Sequence, residues 1–515
     1  MHWSTSRGRT AVRTLAAAAI VAAVFLTSAC ATPAPPTEPG DANISLGILG
    51  VPPSLDPAYL DDGQSQYIWN GVFDTLVYLD TEGQLQPNAA ESWEYSDDAL
   101  DLTLHLRAGM TFSSGAPVDA EAVKATLDRT RAASSTPSSR LTAIESIEVV
   151  DDLSVKLHLS RPDGALLSNL AFGAGVIGDP ATIEDEATAL RPVGSGPYVI
   201  DDAATTNGAT YVLTRRDDHW NAEAFPFKTV TIKVISDNAA AFNALQSGEI
   251  SAASVQPDQV AVAEGAGFTT KTLNNTSLAS LVLLDRAGEL VPALGDARVR
   301  QAINMAFDRE GLATNVLRGR GGVTQQIFYS GASGHVDALD STYSFDVDGA
   351  KALLAEAGYP DGFSLTLPST FLSTQLEPLV TQALGEIGIA AVWEPVPAQE
   401  VASSLAAKRY GAAFYITTIS AQSRDLQTYF GPSGFLNPFN PSDAEFNVLY
   451  DATNAAITDD EIEASYQELN TYLVENAFSV PLFFAAQTWA TAPDIEYLGN
   501  GGAYTTSVRL FGLSD

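Results

Sequence analysis

The amino-acid sequence predicts a mixed α/β fold, because short segments with the period of a strand alternate with segments that have the period of a helix. Leu102–Leu106 and Val155–Leu159 place an apolar residue at every second position, as in strands with one buried face. Between them, Asp119 stands where it could cap a helix whose Val123 and Leu127 face inward. A chain of 515 residues is long enough for two or three domains with a large buried core.

The same periodicities predict further elements along the chain. Leu281–Leu284 is wholly apolar, so we expect a buried strand that crosses between two parts of the protein, with Val480–Phe484 as a second crossing strand. The dense turn Val193–Tyr198 returns the chain from an inserted segment. The other predicted strands are Ile44–Leu49, Tyr211–Thr214 and Val230–Ile235, and the other predicted helices are Tyr67–Leu76, Ala239–Gln246, Arg298–Phe307, Gly349–Ala357 and Ile462–Asn476.

The composition is that of a globular protein, with 45% hydrophobic and 17% charged residues. The 62 acidic and 27 basic residues give a net charge of −35. Such a surface repels phosphate backbones, which argues against nucleic acid as a partner, and it also repels anionic lipid headgroups. Any attachment to a membrane must therefore come from something other than a basic patch.

The N-terminus has the arrangement of a secretory signal followed by a cysteine. Three arginines precede the apolar run Leu15–Leu26, which has the length of a signal-peptide core and is short for a membrane span. Leu26–Cys30 resembles a bacterial lipobox, although Thr27 replaces its usual leucine. We therefore expect a signal peptide over residues 1–29, lipidation of Cys30, and a flexible tether over residues 30–42. An ordinary secretory signal with an incidental cysteine is the alternative.

No motif for enzymatic or metal chemistry occurs in the sequence. The five histidines lack the spacing of metal ligands, and a single cysteine cannot form an internal disulfide. The sequence contains no P-loop, zincin motif or dinucleotide fingerprint, and Gly194-Ser195-Gly196 lacks the frame of a nucleophile elbow. We therefore predict a protein that is not an enzyme and that uses no cofactor or metal.

Eight short stretches follow one another in an order that resembles a known family. They are Ser54–Pro57, Phe73–Val77, Pro87–Trp93, Leu106–Ala120, Val193–Tyr198, Leu245–Ile250, Arg298–Ala302 and Leu353–Gly362. Together they are similar to solute-binding protein family 5, the peptide- and nickel-binding components of ABC importers. The resemblance runs from about Ile44 to near the C-terminus.

The resemblance implies a two-lobe, periplasmic-binding-protein-like fold of type II, with an extra subdomain in the first lobe. Lobe I would comprise residues 43–75, 186–278 and 486–515, the inserted subdomain residues 76–185, and lobe II residues 279–485. Paired crossing strands would join the lobes, which could hinge closed over a ligand and release it unchanged.

The resemblance also suggests where a ligand would lie. In peptide-binding relatives, the ligand pairs its backbone with short protein strands in the cleft. Asp61, Asp62 and Gly63 are expected near this site, because they follow the match that ends at Pro57. The alternative is that the two aspartates form a solvated acidic turn.

A second part of the site would come from lobe II, where peptide binders carry a tryptophan and an aspartate that neutralises the peptide ammonium group. Thr417 stands where the tryptophan is expected, and Asp425 is displaced from the carboxylate position. Either Asp425 shifts inward or the ligand is not a free-amine peptide, because a buried ammonium group needs a partner. Arg424 could pair with a ligand carboxylate or form a structural salt bridge. The candidates are Tyr415, Thr417, Thr418, Ser420, Gln422, Arg424 and Asp425, and a polar loop without ligand contact is the alternative.

The resemblance therefore implies the substrate-binding lipoprotein of an ABC importer, which captures a peptide or peptide-like small solute and delivers it to a membrane permease. A non-peptide solute, such as an oligosaccharide, an opine or a metal chelate, and a sensing role are open alternatives. We expect a monomer on the outer face of the cell membrane, held there by the lipid on Cys30.

Overall fold

The structure is a computed structural model that describes residues 42–397, 400–432, 434–441, 443–500 and 506–514. The predicted signal peptide, Cys30 and the tether up to residue 41 lie outside these residues. The strands are β1 (Ala42–Ile48), β2 (Val77–Leu79), β3 (Leu85–Pro87), β4 (Ala90–Tyr95), β5 (Asp101–Leu106), β6 (Ile144–Asp151), β7 (Ser154–Leu159), β8 (Tyr198–Ile200), β9 (Thr210–Arg215), β10 (Phe227–Val234), β11 (Ala252–Val255), β12 (Thr269–Leu283), β13 (Gly322–Val323), β14 (Phe363–Ser369), β15 (Ile389–Pro395), β16 (Ala412–Thr418), β17 (Val480–Thr491), β18 (Ile495–Tyr497) and β19 (Phe511–Leu513).

The α-helices of the same ranges are α1 (Gln66–Val72), α2 (Ala120–Ala132), α3 (Thr136–Ser139), α4 (Leu166–Asn169), α5 (Asn238–Gln246), α6 (Val260–Gly265), α7 (Ala297–Met305), α8 (Arg309–Leu312), α9 (Val347–Glu356), α10 (Glu377–Glu386), α11 (Val401–Ala406), α12 (Gln422–Phe430), α13 (Ala444–Ala455) and α14 (Asp459–Glu475). Short 3₁₀ turns cover Pro57–Tyr59, Gly173–Gly175, Glu186–Ala189, Ala222–Ala224, Pro292–Gly295, Asp337–Ser341 and Val508–Leu510, and a π-helical turn covers Ala313–Leu317.

One mixed sheet runs through both halves of the protein. Among the described strands its order is β16-β12-β17-β11-β1-β10-β9-β8, with β13 also paired to β17. Strand β1 is parallel to β10 and β11, whereas β12 and β17 are antiparallel. The two predicted crossing strands are confirmed as one end of this antiparallel pair. The pair extends beyond the apolar runs, because the first half of β12 is polar and only partly buried.

The ladder between β12 and β17 is interrupted midway. Leu273 pairs with Gln487 and Ser277 pairs with Ala485, so four steps along β12 match two along β17. Asn275, within this bulge, has a positive φ of 59°, a conformation that asparagine adopts more readily than most residues. A bulge bends and twists a strand locally. The two ends of the crossing pair can therefore turn relative to each other at this point.

Separate apolar cores lie on the two sides of the bulge. Lobe I contains β1 and β8–β11, with a core that includes Trp69, Phe227 and Trp489. Lobe II contains β13–β16 and α7–α14 and packs around two apolar clusters, which include Phe307 and Phe430. The residue limits predicted for the lobes stay predictions.

The inserted subdomain has its own antiparallel sheet, with the strand order β4-β5-β7-β6. The two alternating runs of the sequence are confirmed as β5 and β7, and their apolar residues share one core with α2. The carboxylate of Asp119 accepts a hydrogen bond of 2.9 Å from the backbone N–H of Ala122 and caps α2 as predicted. Val123 and Leu127 are buried on the inner face of the helix, also as predicted.

Helix α1 was predicted to continue to Leu76, and this end was wrong. Phe73 is already extended, because the predicted turn of residues 193–198 packs on this point. The Gly196 N–H donates to the Val72 carbonyl at 2.9 Å, and a Cβ on Gly194 would lie 2.2 Å from the same oxygen. Only glycine allows so close an approach, so the turn both ends the helix and joins the subdomain to lobe I.

The remaining predicted elements are confirmed, with ends that shift by at most three residues. The start of β10 and the start of α14 shift by three residues each, and α14 begins at Asp459 and not at Ile462. Thr458 and Glu461 form a reciprocal capping box there, and this motif starts the helix one turn earlier.

Candidate functional site

Helix α12 of lobe II lies where the two lobes meet, against α4 of the inserted subdomain. Strand β16 ends at Thr418, and the chain turns through Ser420 and Ala421 into the helix. The carboxylate of Asp425 closes this turn, because Oδ2 accepts the Ser420 backbone N–H at 3.1 Å and Oδ1 accepts the Ser420 hydroxyl at 2.7 Å. The start of α12 is thereby fixed from within lobe II.

Asp425 carries a perturbed carboxyl group. Burial raises its pKa to about 6, although the hydrogen bonds from Ser420 and the charges of Arg424 and Arg140 lower it. Both oxygens of the carboxylate are engaged by Ser420. In this arrangement, the carboxylate predicted for ammonium recognition is directed into its own loop.

Arg424 connects lobe II to lobe I and to the inserted subdomain. Its Nη2 donates to the carboxylate of Asp62, and its Nε donates to Asn169 Oδ1 at 3.1 Å. Its guanidinium carbon lies 3.8 Å from the centroid of the Phe172 ring, a cation–π distance. Of the two roles predicted for Arg424, the structure has the salt bridge, with Asp62 as the partner. We call Arg424, Asp62, Asn169 and Phe172 the latch.

Further hydrogen bonds between the lobes surround the latch. Arg140 Nη1 donates to Gln427 Oε1 at 3.1 Å, and Ser423 Oγ donates to Ser168 Oγ at 3.1 Å. Each joins α12 to the inserted subdomain. The lobes are therefore in contact, and the structure has the geometry of a closed cleft.

A cavity of about 710 Å³ lies between the inserted subdomain and lobe II. Small-molecule sites in proteins span roughly 300–1,000 Å³, so this volume suits a ligand of a few amino acids. The inserted subdomain contributes Leu79, Gly83, Gln84, Leu85, Trp93, Glu94, Tyr95, Ala99, Asp163, Gly164, Leu167 and Ser168. Lobe II contributes Tyr329, Gly331, Ala332, Ser333, Ser420, Ala421, Gln422, Ser423, Thr453, Asn454, Ala456, Ile457, Asp459, Ile462, Glu463 and Tyr466.

Two of the sequence-predicted site residues, Ser420 and Gln422, line this cavity. Gln422 is held in place because its Nε2 donates to Ser333 Oγ at 2.7 Å and its Oε1 accepts the Gly334 N–H at 3.0 Å. Ser420 is held by Asp425. The lobe II loop thus presents fixed neutral hydrogen-bonding groups to the cavity.

The other predicted residues of β16 lie outside the cavity lining. Thr417 Oγ1 forms a hydrogen bond of 2.9 Å with the Tyr429 hydroxyl, and the Tyr415 ring packs 5.4 Å from the Phe435 ring. Thr418 is exposed at the end of the strand. The structure therefore gives Tyr415 and Thr417 contacts within lobe II.

The loop before α1 is shaped by its backbone. The Asp61 carbonyl accepts hydrogen bonds from the Ser65 hydroxyl at 2.6 Å and from Trp69 Nε1 at 2.8 Å. Gly63 has a φ of 90°, which favours glycine. This geometry sets Asp62 in reach of Arg424, while Asp61 is exposed.

The inserted subdomain supplies site residues that the sequence analysis did not select. Arg140, Asp163, Asn169 and Phe172 all lie at the inter-lobe contact. No local pattern marks them, since Asn169 and its partner Arg424 are separated by 255 positions along the chain.

Within the described ranges, no three histidine, cysteine, aspartate or glutamate side chains converge as a metal site. His219 Nε2 lies 3.3 Å from the Asp74 carboxylate, and His335 lies near Asp337 and Asp340. Of the helices in those ranges, none combines the length and the apolar character that a bilayer crossing requires.

Comparison with known families adds an independent finding. The family model for bacterial extracellular solute-binding proteins, family 5, middle, matches residues 84–443. This segment is more than half of the chain. The chain belongs to this family.

Relatives and solved structures of the family agree with the fold. The glutathione-binding protein GsiB of Salmonella paratyphi A is 29% identical over 402 residues, which are 74% of this chain and 75% of that protein. The binding protein AgaA of A. tumefaciens R10, solved with agropinic acid, has a TM-score of 0.79 and 26% identity, over 92% of this chain and 99% of AgaA. The binding protein DppA of Helicobacter pylori, solved with the peptide STSA, has a TM-score of 0.77 and 21% identity, over 92% and 98%.

The resemblance and the two-lobe fold predicted from the sequence are therefore confirmed. Family 5 proteins bind solutes for ABC importers outside the cytoplasm and are not enzymes.

We expect Asp425→Asn to change how the stability of the protein depends on pH. The folded pKa of about 6 lies above the ordinary value of 3.8, so wild type takes up a proton as the pH falls through this window and gains stability. The variant cannot take up this proton. Its free energy of unfolding, relative to that of wild type, should therefore be higher at pH 7 than at pH 4, by roughly 1–2 kcal/mol. Denaturant unfolding at both pH values measures this, with the exposed Asp97→Asn as a control. An equal difference at both pH values would contradict the account.

We expect Arg424→Gln to shift the protein toward an open arrangement. The substitution leaves the Asp62 carboxylate, which is 27% exposed, without its counter-charge in the closed state, at a cost of roughly 1–3 kcal/mol. Small-angle X-ray scattering should show a larger radius of gyration. Lys408→Gln, which breaks the exposed pair with Glu289 inside lobe II, should leave the radius unchanged. Identical radii for both variants and wild type would refute the latch.

Proposed function

We propose that the protein is the lipid-anchored substrate-binding component of an ABC importer, and that it captures a peptide or peptide-like small solute between its lobes. The observation that carries this proposal is the cavity of about 710 Å³ between the inserted subdomain and lobe II. Such a cavity exists only while the lobes are closed. A solute held there would be buried on most sides and would stabilise the closed state over the open one.

The predicted site residues divide into three groups in this proposal. Ser420 and Gln422 would contact the solute, because they line the cavity. Asp62 and Arg424 would hold the lobes together, and Asp425 would fix the loop that carries Ser420. Asp61 and Gly63 would shape the loop before α1. Tyr415, Thr417 and Thr418 would belong to strand β16 of lobe II without contact to the solute.

The solute class is proposed from chemistry and from relatives. The cavity combines aromatic walls, such as Trp93 and Tyr329, with neutral amide and hydroxyl groups, which suits a molecule with amide bonds and apolar side chains. GsiB binds glutathione, and DppA was solved with a peptide. AgaA was solved with agropinic acid, so an opine is the leading non-peptide alternative.

Delivery would follow from closure. The permease would recognise the surface that exists only when the lobes are closed, and lipidated Cys30 would keep the protein on the outer face of the membrane as a monomer. A sensing role would use the same closure with a different membrane partner. Sensor and importer differ in that partner and not in the site.

We expect small peptides or related solutes to stabilise the protein. A ligand at 100 times its Kd adds roughly 2.7 kcal/mol to the free energy of unfolding, which thermal-shift measurements detect. The panel contains di- to pentapeptides, glutathione, opines, oligosaccharides and nickel chelates. Stabilisation by non-peptides alone would refute the peptide assignment and leave the importer role intact.

Two matched variants test whether the stabilising solute binds in this cavity. Ala421→Trp puts a large ring at the cavity wall, where Ala421 also packs on the inserted subdomain, and should abolish stabilisation by the solute. Val448→Trp places the same ring on α13, at a side chain that is 68% exposed in wild type. This variant should be stabilised by the solute as much as wild type is. Equal stabilisation of the two variants would place the solute elsewhere.

We expect Cys30→Ala to release the protein from membranes, because no basic patch or described helix would otherwise hold it. Fractionation of cells that express tagged wild type and Cys30→Ala measures this. Thr27→Leu, which restores the usual lipobox residue, should stay membrane-bound. Membrane association of Cys30→Ala would show that the anchor is not the lipid.

A further inference from the structure

The charged groups at the inter-lobe contact satisfy one another behind the cavity wall. Both oxygens of the Asp425 carboxylate accept hydrogen bonds from Ser420, and Arg424 is paired with Asp62. None of Asp62, Arg424 and Asp425 belongs to the described lining of the cavity. These groups therefore offer no free charge to a solute inside it.

Asp163 is the buried carboxylate of the described lining, and it too is enclosed. The residue is 3% exposed, its Oδ1 accepts the Ala165 N–H at 3.1 Å, and its Oδ2 has almost no accessible surface. Burial raises the pKa of Asp163, while the charges of Arg161 and Arg140 act in the opposite direction. A solute therefore does not reach this carboxylate, whose charge is opposed by two arginines outside the lining.

The other carboxylates of the described lining lie at its border. Glu94, Asp459 and Glu463 are exposed, so a pair that one of them formed with a solute would be screened by water and weak. The same lining contains no lysine, arginine or histidine. A solute carboxylate would therefore find no counter-charge in the cavity, and the acids at the border would repel it.

The interior of the cavity presents neutral hydrogen-bond donors instead. Trp93, Tyr95 and Tyr329 line it, and neither the indole N–H nor the two hydroxyls have a hydrogen bond to another described residue. Burial raises the pKa of Tyr329 to about 12 and also raises the pKa of Tyr95. Both hydroxyls therefore keep their protons and can donate. The group that matches an uncharged donor is a carbonyl oxygen, which accepts hydrogen bonds.

We infer that the cavity selects solutes whose enclosed part is uncharged and rich in carbonyl groups, as in a peptide that is capped at both ends. The inference rests on the proposed function and names the substrate class of its site. The carbonyl oxygens of the solute accept hydrogen bonds from Trp93, Tyr95 and Tyr329, and the aromatic faces cover its apolar groups.

A zwitterionic peptide fits this cavity less well in either direction. With its ammonium group at the acidic border, its carboxylate lies inside without a partner. With the direction reversed, its carboxylate meets the acids at the border, and its ammonium group lies inside without an accessible carboxylate. Of the two alternatives that the sequence left open at Asp425, the inference selects a ligand that is not a free-amine peptide.

The test uses one tripeptide library in four forms, which are zwitterionic, N-acetylated, amidated, and capped at both ends. Native mass spectrometry measures which peptides the soluble Cys30→Ala protein retains. The protein should retain the doubly capped form roughly 10- to 100-fold better than the zwitterionic form, because a buried charge without a partner is costly. The N-acetylated form, which keeps its carboxylate, should be retained less well than the amidated form. Equal or better retention of the zwitterionic form would overturn the inference.

An isosteric substitution supplies the charge that the cavity lacks. Gln422→Glu places a carboxylate at the wall, where the Gly334 N–H and the Ser333 hydroxyl can donate to it, so the loop should fold. Relative to doubly capped peptides, the variant should retain amidated peptides with a free ammonium group roughly 10-fold better than wild type does. Gln256→Glu, at an exposed position outside the lining, should leave this ratio unchanged. A wild-type ratio in Gln422→Glu would overturn the inference.

A second pair of variants tests the neutral donors. Tyr329→Phe removes one hydroxyl and keeps the ring, so the affinity for doubly capped peptides should fall roughly 2- to 10-fold. Tyr59→Phe removes a hydroxyl from a side chain that is 47% exposed and outside the lining, and it should bind as wild type does. Equal affinities of the two variants would contradict recognition of carbonyl groups by Tyr329.

The remaining outcomes separate this inference from the proposed function. If zwitterionic peptides are retained and capped peptides are not, the inference fails and the binding function stands. If no form of the library and no solute of the wider panel binds, both fail.

Discussion

The crossing strands β12 and β17 constrain everything else in the structure. Their pairing places both lobes in one sheet, so the lobes stay joined through this ladder, which is irregular around Asn275 and again between Ala279 and Ser280. A cleft closed in this way brings α12 against the inserted subdomain, and it brings Arg424 to Asp62 of lobe I. The cavity and the latch therefore both depend on how this ladder sets the two lobes against each other.

Electrostatics governs the contact between the two lobes. The chain carries 62 acidic and 27 basic residues, yet Arg424 is buried and Arg140 is partly buried where its lobes meet. Burial and the neighbouring Arg424 lower the pKa of Arg140 to about 10, so closure brings like charges together and needs the nearby acids. The Asp62 carboxylate is paired with Arg424, and both oxygens of the Asp425 carboxylate accept hydrogen bonds from Ser420. The negative charges of Asp62, Asp425 and Asp163 in turn favour the charged form of Arg140.

The sequence predicted the fold wherever the signal was local or came from the family resemblance. Strands β5 and β7 and the cap at Asp119 were found because burial alternates along a strand and a cap lies next to its helix. The end of α1 was missed because it is set by glycines more than 120 positions away. The resemblance selected Asp62 and Arg424 separately, but their pairing depends on a tertiary contact that no local pattern carries.

Closure around a solute is the central claim, and a distance measurement tests it most directly. Because Cys30 is the single cysteine, the soluble Cys30→Ala protein can carry spin labels at Asp97→Cys in the inserted subdomain and Glu468→Cys in lobe II, both exposed positions. Double electron–electron resonance should give a longer, broader distance distribution without solute and one short, narrow distance with a stabilising solute. The same narrow distribution in both conditions would show a single rigid body and contradict the account.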